Sequence, residues 1–309
     1  MNIDLIERAN RSLQRLNPDE IDFTKYLSRE ERARVISSEQ IAEEGKKQML
    51  LGVENDEGLV LPWVKAQNKV LITRGKLALW TGWSFHGKSQ MLKHVMTHAL
   101  SLSEKVCIAS MEEEIIDIWK AMGIIACGTA TPNKKAIDSW IRMSGKNLWF
   151  YDQQGTIKSK QILAVIRYAA EELGVTQFVI DSLMMLAVSR DDYDAQSVFT
   201  GELKTMAKDT GTTIHLVAHM RKRDGKTGEE SPGSPHDIAG GHEIASKSDY
   251  IFNVWRDKAK TGSDPCILGV DKQRGRIDWI GKIGLGFDPS SRQYLEGSPI
   301  RYCEDEINI

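Results

Sequence analysis

Side chains able to do phosphate chemistry recur in this sequence at the ends of apolar runs. The first set lies at 81–90, TGWSFHGKSQ, where Gly82, Gly87, Lys88 and Ser89 fit the pattern G-x-x-x-x-G-K-[ST]. That pattern needs a strand before it and a helix after it. LALWT (77–81) is a short apolar run, and SQMLKHVMTHAL (89–100) carries Leu92, Val95, Met96, Ala99 and Leu100 at helical spacing. Gly82 and Gly87 allow the loop to curl and aim N–H groups at anionic oxygens, with the helix N-terminus adding positive potential. Lys88 then reaches the β- and γ-phosphates of a nucleotide, and the Ser89 hydroxyl ligates Mg²⁺. Trp83, Ser84, Phe85 and His86 fill the variable positions and Gln90 follows, so 82–90 is the nucleotide-binding stretch. The three bulky side chains can turn away from the phosphates, because the backbone alone does that work.

Further groups follow in the same manner. QFVIDSLMML (177–186) is a buried-type strand ending on Asp181, where a carboxylate can support the metal shell opposite the phosphate loop. KVCIASMEEE (105–114) ends on Glu112, Glu113 and Glu114; one of them can orient and deprotonate an attacking water, and Glu112 stands nearest the strand. The alternative is an acidic first turn of a helix, which the helix dipole favours. TIHLVAHMRKR (213–223) ends on His219, which can hydrogen-bond a γ-phosphate or simply sit satisfied at a sheet edge. Arg221, Lys222, Arg223 and Lys226 follow on a Gly- and Pro-rich loop, suited to phosphate contact or to a solvated charge run. VDKQRGR (270–276) offers Lys272 and Arg274 to stabilise charge on a transferring phosphoryl group.

The elements that must position these groups are apolar β-type runs alternating with helical stretches: LALWT, VCIAS, LWFYD, FVIDS, IHLVAH, YIFNVW, CILGV and WIGKIGLGF. This alternation predicts an α/β fold with a mostly parallel sheet, flanking helices and antiparallel strands toward the C-terminus. Residues 1–55 are charged, with capping-box patterns at SREE (28–31) and SSEQ (37–40), and predict a helical arm. The domain proper is expected over 56–300, followed by a tail at 301–309.

A chain of 309 residues with 41% hydrophobic content suits one large domain. Its net charge of −2 gives no global basic footprint, so any nucleic-acid contact must be local or inside an assembly. The N-terminal stretch lacks a signal-peptide core and no run reaches about 18 apolar residues, which predicts a cytoplasmic protein of a bacterial or phage-infected cell or an organelle matrix, with no membrane partner. Cys107, Cys127, Cys266 and Cys303 are too scattered for a zinc ribbon or a disulfide framework.

In order and spacing, GWSFHGKS, ASMEEE, FVIDSLMML, LVAHMRK and VDKQRGR resemble the RecA-like motor domain of hexameric replicative helicases. This is the DnaB-like group with the phage primase-helicases and Twinkle, and the resemblance spans roughly residues 58–295. It implies a ring-forming homo-oligomer, a hexamer in this family, with ATP or another NTP or dNTP and Mg²⁺ at subunit interfaces and single-stranded DNA in the central channel. By the resemblance Lys88 and Ser89 bind phosphate and metal, Glu112 is the base, Asp181 supports metal and water, and His219 couples γ-phosphate to the DNA loop. Lys272 and Arg274 match a pair inserted into the neighbour's site. Arg256 and Phe287 fall where the family places groups around the base, and 221–247, including Lys247, matches the DNA loop. The chain departs from the family in having Ser246 and Lys247 where a glutamine commonly precedes the Ser-Asp, and no primase or zinc module stands upstream, which implies a separate primase, polymerase or loader. A RecA-like ATPase that assembles a nucleoprotein complex is the alternative function.

Overall fold

A computed structural model describes residues 58–152, 159–183, 193–221, 231–238, 241–257, 266–275 and 277–303, with short pieces of 14–49. In chain order the elements are β1 (Gln14–Leu16), α1 (Thr24–Leu27), β2 (Gly58–Val60), β3 (Leu71–Thr73), β4 (Leu77–Thr81), α2 (Lys88–Ser101), β5 (Val106–Ser110) and α3 (Ile115–Cys127). They continue as α4 (Lys134–Ser144), β6 (Leu148–Tyr151), α5 (Ser159–Leu173), β7 (Gln177–Asp181), α6 (Tyr193–Thr210) and β8 (Thr213–Val217). The last are α7 (Gly241–Lys247), β9 (Tyr250–Arg256), β10 (Cys266–Gln273), β11 (Gly281–Asp288) and β12 (Gln293–Leu295).

Ten strands form one sheet in the order β1-β6-β5-β7-β8-β4-β9-β10-β11-β12, and β2 and β3 make a separate hairpin. From β1 to β9 every pairing is parallel, whereas β10, β11 and β12 are antiparallel to their neighbours. The predicted α/β architecture is therefore present. Strands β4, β7 and β8 are buried at every position, as expected when helices cover both faces and the strands read as unbroken apolar runs.

Strand alternation divides the core into two layers. Ala78 and Trp80 point to the layer with α2, α3, α4 and the strands from β9 onward; Leu77 and Leu79 point to the layer with α5, α6 and α7. A one-residue slip of β4 would exchange these sets. The chain leaves β4 through α2, crosses over the places later taken by β8 and β7 to reach β5, goes out to β6, and returns through β7 and β8 to lie beside β4. The reversal makes a crevice at the C-terminal ends of β5, β7, β8 and β4, the usual ligand position in open α/β sheets.

Three features differ from the expectations. The predicted helical arm lies mostly outside the described residues, and what is described of it includes β1, which pairs with β6 at the sheet edge. Tyr26 of α1 is buried against α5, where its hydroxyl donates to Glu172 at 2.7 Å and its ring meets Tyr168 edge-on. The predicted tail begins as packed chain: the Tyr302 and Cys303 amides both donate to Ala126 O, and Cys303 is buried. All four cysteines are buried and free. Among the described residues no helix is long and apolar enough to cross a membrane.

Candidate active site

The phosphate loop follows β4 and ends at Gly87, the left-handed N-cap of α2 (φ 89°). Both glycines are required by their surroundings. A Cβ on Gly82 (φ 150°) would strike the Val254 carbonyl, and one on Gly87 would strike the Tyr294 hydroxyl. Between them Phe85 is also left-handed (φ 62°) and its ring is 91% exposed. Such backbone strain in a bulky residue persists only where the surroundings impose it. Trp83 and His86 turn inward and are buried. The His86 Nδ1 accepts from the Arg256 amide at 3.2 Å, and the Trp83 Nε1 donates to Ser231 O at 3.0 Å.

Lys88 is buried at the foot of this loop. Its ammonium donates to Gly82 O at 3.0 Å and to Trp83 O at 2.9 Å, so the two carbonyls hold it inside the curl. The Gln90 amide donates to Arg292 O at 2.7 Å, tying the first turn of α2 to the turn before β12.

Register sets the carboxylates around the loop. Ser110 pairs with Asp181, so β5 and β7 deliver Glu112 and Asp181 side by side. Asp181 is 7% exposed; burial pushes its carboxyl above the usual range, Glu112 and Glu113 push in the same direction, and a hydrogen bond from Ser89 opposes them. Its Oδ1 is buried with no hydrogen-bond partner among the described residues. A small cavity beside it is lined by Ser89, Lys93, Ser110 and Glu113 with Asp181. A dehydrated carboxylate oxygen beside a hydroxyl and two further carboxylates is a donor set that calls for a hard cation, so Ser89 and Asp181 fit Mg²⁺.

Glu112 behaves in the opposite way. The His219 imidazole beside it, the Ser182 hydroxyl and the Lys88 charge hold its carboxyl down at about 2 against partial desolvation. Ser182 Oγ donates to Glu112 Oε1 at 2.7 Å, while His219 Nε2 stands 3.8 Å from the same oxygen, beyond hydrogen-bond length. His219 Nδ1 is buried and has no hydrogen-bond partner among the described residues. Glu113 is instead paired with Lys93, and Glu114 occupies the N-cap of α3. The acidic run thus divides into an active-site acceptor, an ion-pair partner and a helix start.

Arg256 and Phe287 are brought together at the same end, the guanidinium carbon 4.9 Å from the ring centroid. Tyr294 completes this wall: its ring lies against Phe287, and its hydroxyl donates to Gly87 O at 3.0 Å. Sequence reasoning missed Tyr294, because nothing local in RQYLEG distinguishes it and its role depends on β12 returning to α2.

Lys272 and Arg274 lie elsewhere. Strand β10 runs antiparallel to β9, so its end faces the beginning of β9. The Arg274 amide donates to Asp249 O, and the Asp249 amide donates to Leu77 O at the start of β4. Four strand steps of about 3.3 Å, roughly 13 Å, separate that level from Thr81. Lys272 donates to Ala245 O at 2.7 Å and Ser246 O at 2.8 Å, and burial with the nearby Arg274 and Lys204 charges lowers its ammonium to about 8. Arg274 is exposed. Lys247 donates to Ser197 O and Oγ, joining α7 to α6. Arg221 is exposed, with its amide on Asp237 O; Lys222, Arg223 and Lys226 lie outside the described residues.

No protein-family model matches the chain, and no curated protein matches it in sequence. Solved structures match it in fold. The ATPase domain of a helicase aligns with TM-score 0.70 and 15% identity over 84% of this chain and 98% of that one. A second, "The Structure Of A DnaB-Like Replicative Helicase And Its Interactions With Primase", aligns with TM-score 0.69 and 14% identity over 83% of this chain and 67% of that one. The sheet and its phosphate loop thus define the RecA-like class of nucleotide-binding fold. Within that class, the fold is the one shared by the ATPase domains of DnaB-like replicative helicases.

Proposed function

We propose that the chain is a Mg²⁺- and NTP-dependent motor of the replicative helicase type, which assembles as a ring and moves along single-stranded DNA. One observation carries this reading. The phosphate loop, Asp181, Glu112 and His219 converge at one end of the sheet, while Lys272 and Arg274 stand at the other. Those two cations are out of reach of their own loop, so they serve nucleotide only across a boundary between copies.

In this reading the triphosphate binds the amides of 82–89, and Lys88 gives up carbonyl partners for phosphate oxygens. Ser89 and Asp181 would hold Mg²⁺, which when bound neutralises charge on the β- and γ-phosphates. Glu112 is ionised at any working pH, given a carboxyl near 2. So weak a base acts mainly as a fixed acceptor that orients the attacking water, which suffices for a loose phosphoryl-transfer transition state. Arg274 and Lys272 of a neighbouring copy stabilise the charge on the transferring group. His219 stands between Glu112 and the chain beyond Met220, where it senses the γ-phosphate on behalf of a DNA-contacting segment that includes Arg221, Lys222, Arg223 and Lys226. Six such basic segments facing one channel would offset the chain's slight acidity. Lys247 joins them only by leaving Ser197.

NTP hydrolysis by the full chain with and without single-stranded DNA at two salt concentrations, together with unwinding of a forked duplex, tests the proposal. Salt-sensitive stimulation with unwinding supports it. Slow hydrolysis that DNA leaves unchanged, without unwinding, overturns it in favour of a nucleoprotein assembly ATPase.

A further inference from the structure

The two main core layers leave a third, separate apolar cluster: Trp83, Met220 and Trp255, with Ile267 packed against it. It joins the phosphate loop to both flanks of 222–230. On the leading flank, the Met220 amide donates to Gly82 O at 3.3 Å. On the returning flank, the Trp83 indole donates to Ser231 O at 3.0 Å, and Gly233 lies so close to Met220 and Trp83 that an added Cβ would collide with the Met220 sulfur. A buried indole N–H needs an acceptor, so this contact is costly to break without a substitute.

The same two loop residues hold Lys88. Gly82 O accepts from both the Lys88 ammonium and the Met220 amide; Trp83 O accepts from Lys88 while its side chain reaches Ser231. Phosphate oxygens compete for the ammonium's donors, so nucleotide binding must alter the restraint on the two carbonyls that anchor the flanks. We infer that Trp83 is a positioning residue that couples nucleotide binding at the phosphate loop to strand binding by the segment between Met220 and Ser231, by a route separate from His219 and Glu112. The inference rests on the reading above that this segment contacts single-stranded DNA.

Coupling of this kind is reciprocal: DNA changes nucleotide affinity by the same factor by which nucleotide changes DNA affinity, typically about 5- to 150-fold. The experiment titrates a fluorescent, non-hydrolysable ATP analogue into the full chain with and without a thymidine homopolymer, and reads the ratio of the two dissociation constants. Trp83→Phe keeps the aromatic packing and removes the donor. The expected result is a ratio that falls to within about twofold of one, even though each single affinity also moves. A merely structural role would weaken both affinities and leave the ratio. Should the phenylalanine variant not fold, Gly233→Ala, which wedges Met220 from the returning flank, is expected to lower the ratio in the same direction. A wild-type ratio that survives the substitution overturns the role of Trp83 alone. A wild-type ratio of one overturns the motor reading, and this inference with it.

Discussion

The two ends of the parallel sheet treat their charged groups in opposite ways. At the end where β4, β5, β7 and β8 finish, Asp181 Oδ1 and His219 Nδ1 are buried with no hydrogen-bond partner among the described residues, and Phe85 keeps a left-handed backbone in the open. At the other end the charges are spent within the chain. Lys204 bonds Asp249 at 2.7 Å, Asp249 also accepts from the Leu77 amide, Lys272 caps the last carbonyls of α7 and Lys247 holds Ser197. Buried polar atoms are normally satisfied, so orphans gathered at one end mark where a ligand is to be accommodated. Satisfied charges at the other end mark a platform, from which the Arg274 side chain projects as an exposed cation. The contrast is between groups arranged for a guest and groups arranged to present one residue to a neighbour.

The largest test of this contrast is Arg274→Ala. Hydrolysis should fall by a factor on the order of 10³ or more, with nucleotide binding kept, as for an arginine supplied in trans. Mixing these subunits with Glu112→Gln subunits should restore part of the turnover; no recovery at any ratio would remove the in-trans role. Glu112→Gln alone should cost about 10² to 10⁴ in turnover rate, and a smaller loss in single-turnover assays would demote Glu112 from the water-orienting position. Lys88→Ala should cost about 10² to 10³ in turnover. Retained hydrolysis would transfer the phosphate role away from the loop.

Smaller effects probe the supports. Tyr294→Phe removes the donor to Gly87 O and should lower unfolding free energy by about 1 kcal/mol in denaturant titration, with a rise in KM for NTP. The smallest concerns acid. Glu112 has a folded value of about 2 against an ordinary 4.5, so its contribution to stability is complete above pH 4.5 and is lost as pH falls toward 2. Across that window the native chain should lose stability more steeply than Glu112→Gln, by a modest margin because the group is partly exposed. Parallel slopes would show that His219 and Ser182 do not favour the carboxylate.

Much of this was legible in the residues. LALWT is β4 to the residue, FVID opens β7 as read, and Gly87-Lys88-Ser89 starts a helix, because apolar run length, glycine conformations and helical spacing are local properties. The acidic run MEEE named three candidates of equal chemistry, and only the Ser110–Asp181 register and the position of Ser182 single out Glu112. His215 and His219 stand on one segment four residues apart. The first is a buried core histidine between Trp80 and Gln177; the second faces Glu112. Their difference is one of strand position and neighbours, which no local pattern encodes.

Residue types and spacing by themselves determined the class of chemistry, a phosphate loop with its carboxylates, and an α/β scaffold to carry it. They act over one turn or one strand, where backbone geometry is set by adjacent residues. The tertiary structure alone decided that Tyr294 backs Gly87, that Trp83 meets Ser231, and that Arg274 sits at the far end from its own phosphate loop. Those facts join residues far apart in the chain through strand order and direction, which only the packed sheet can supply.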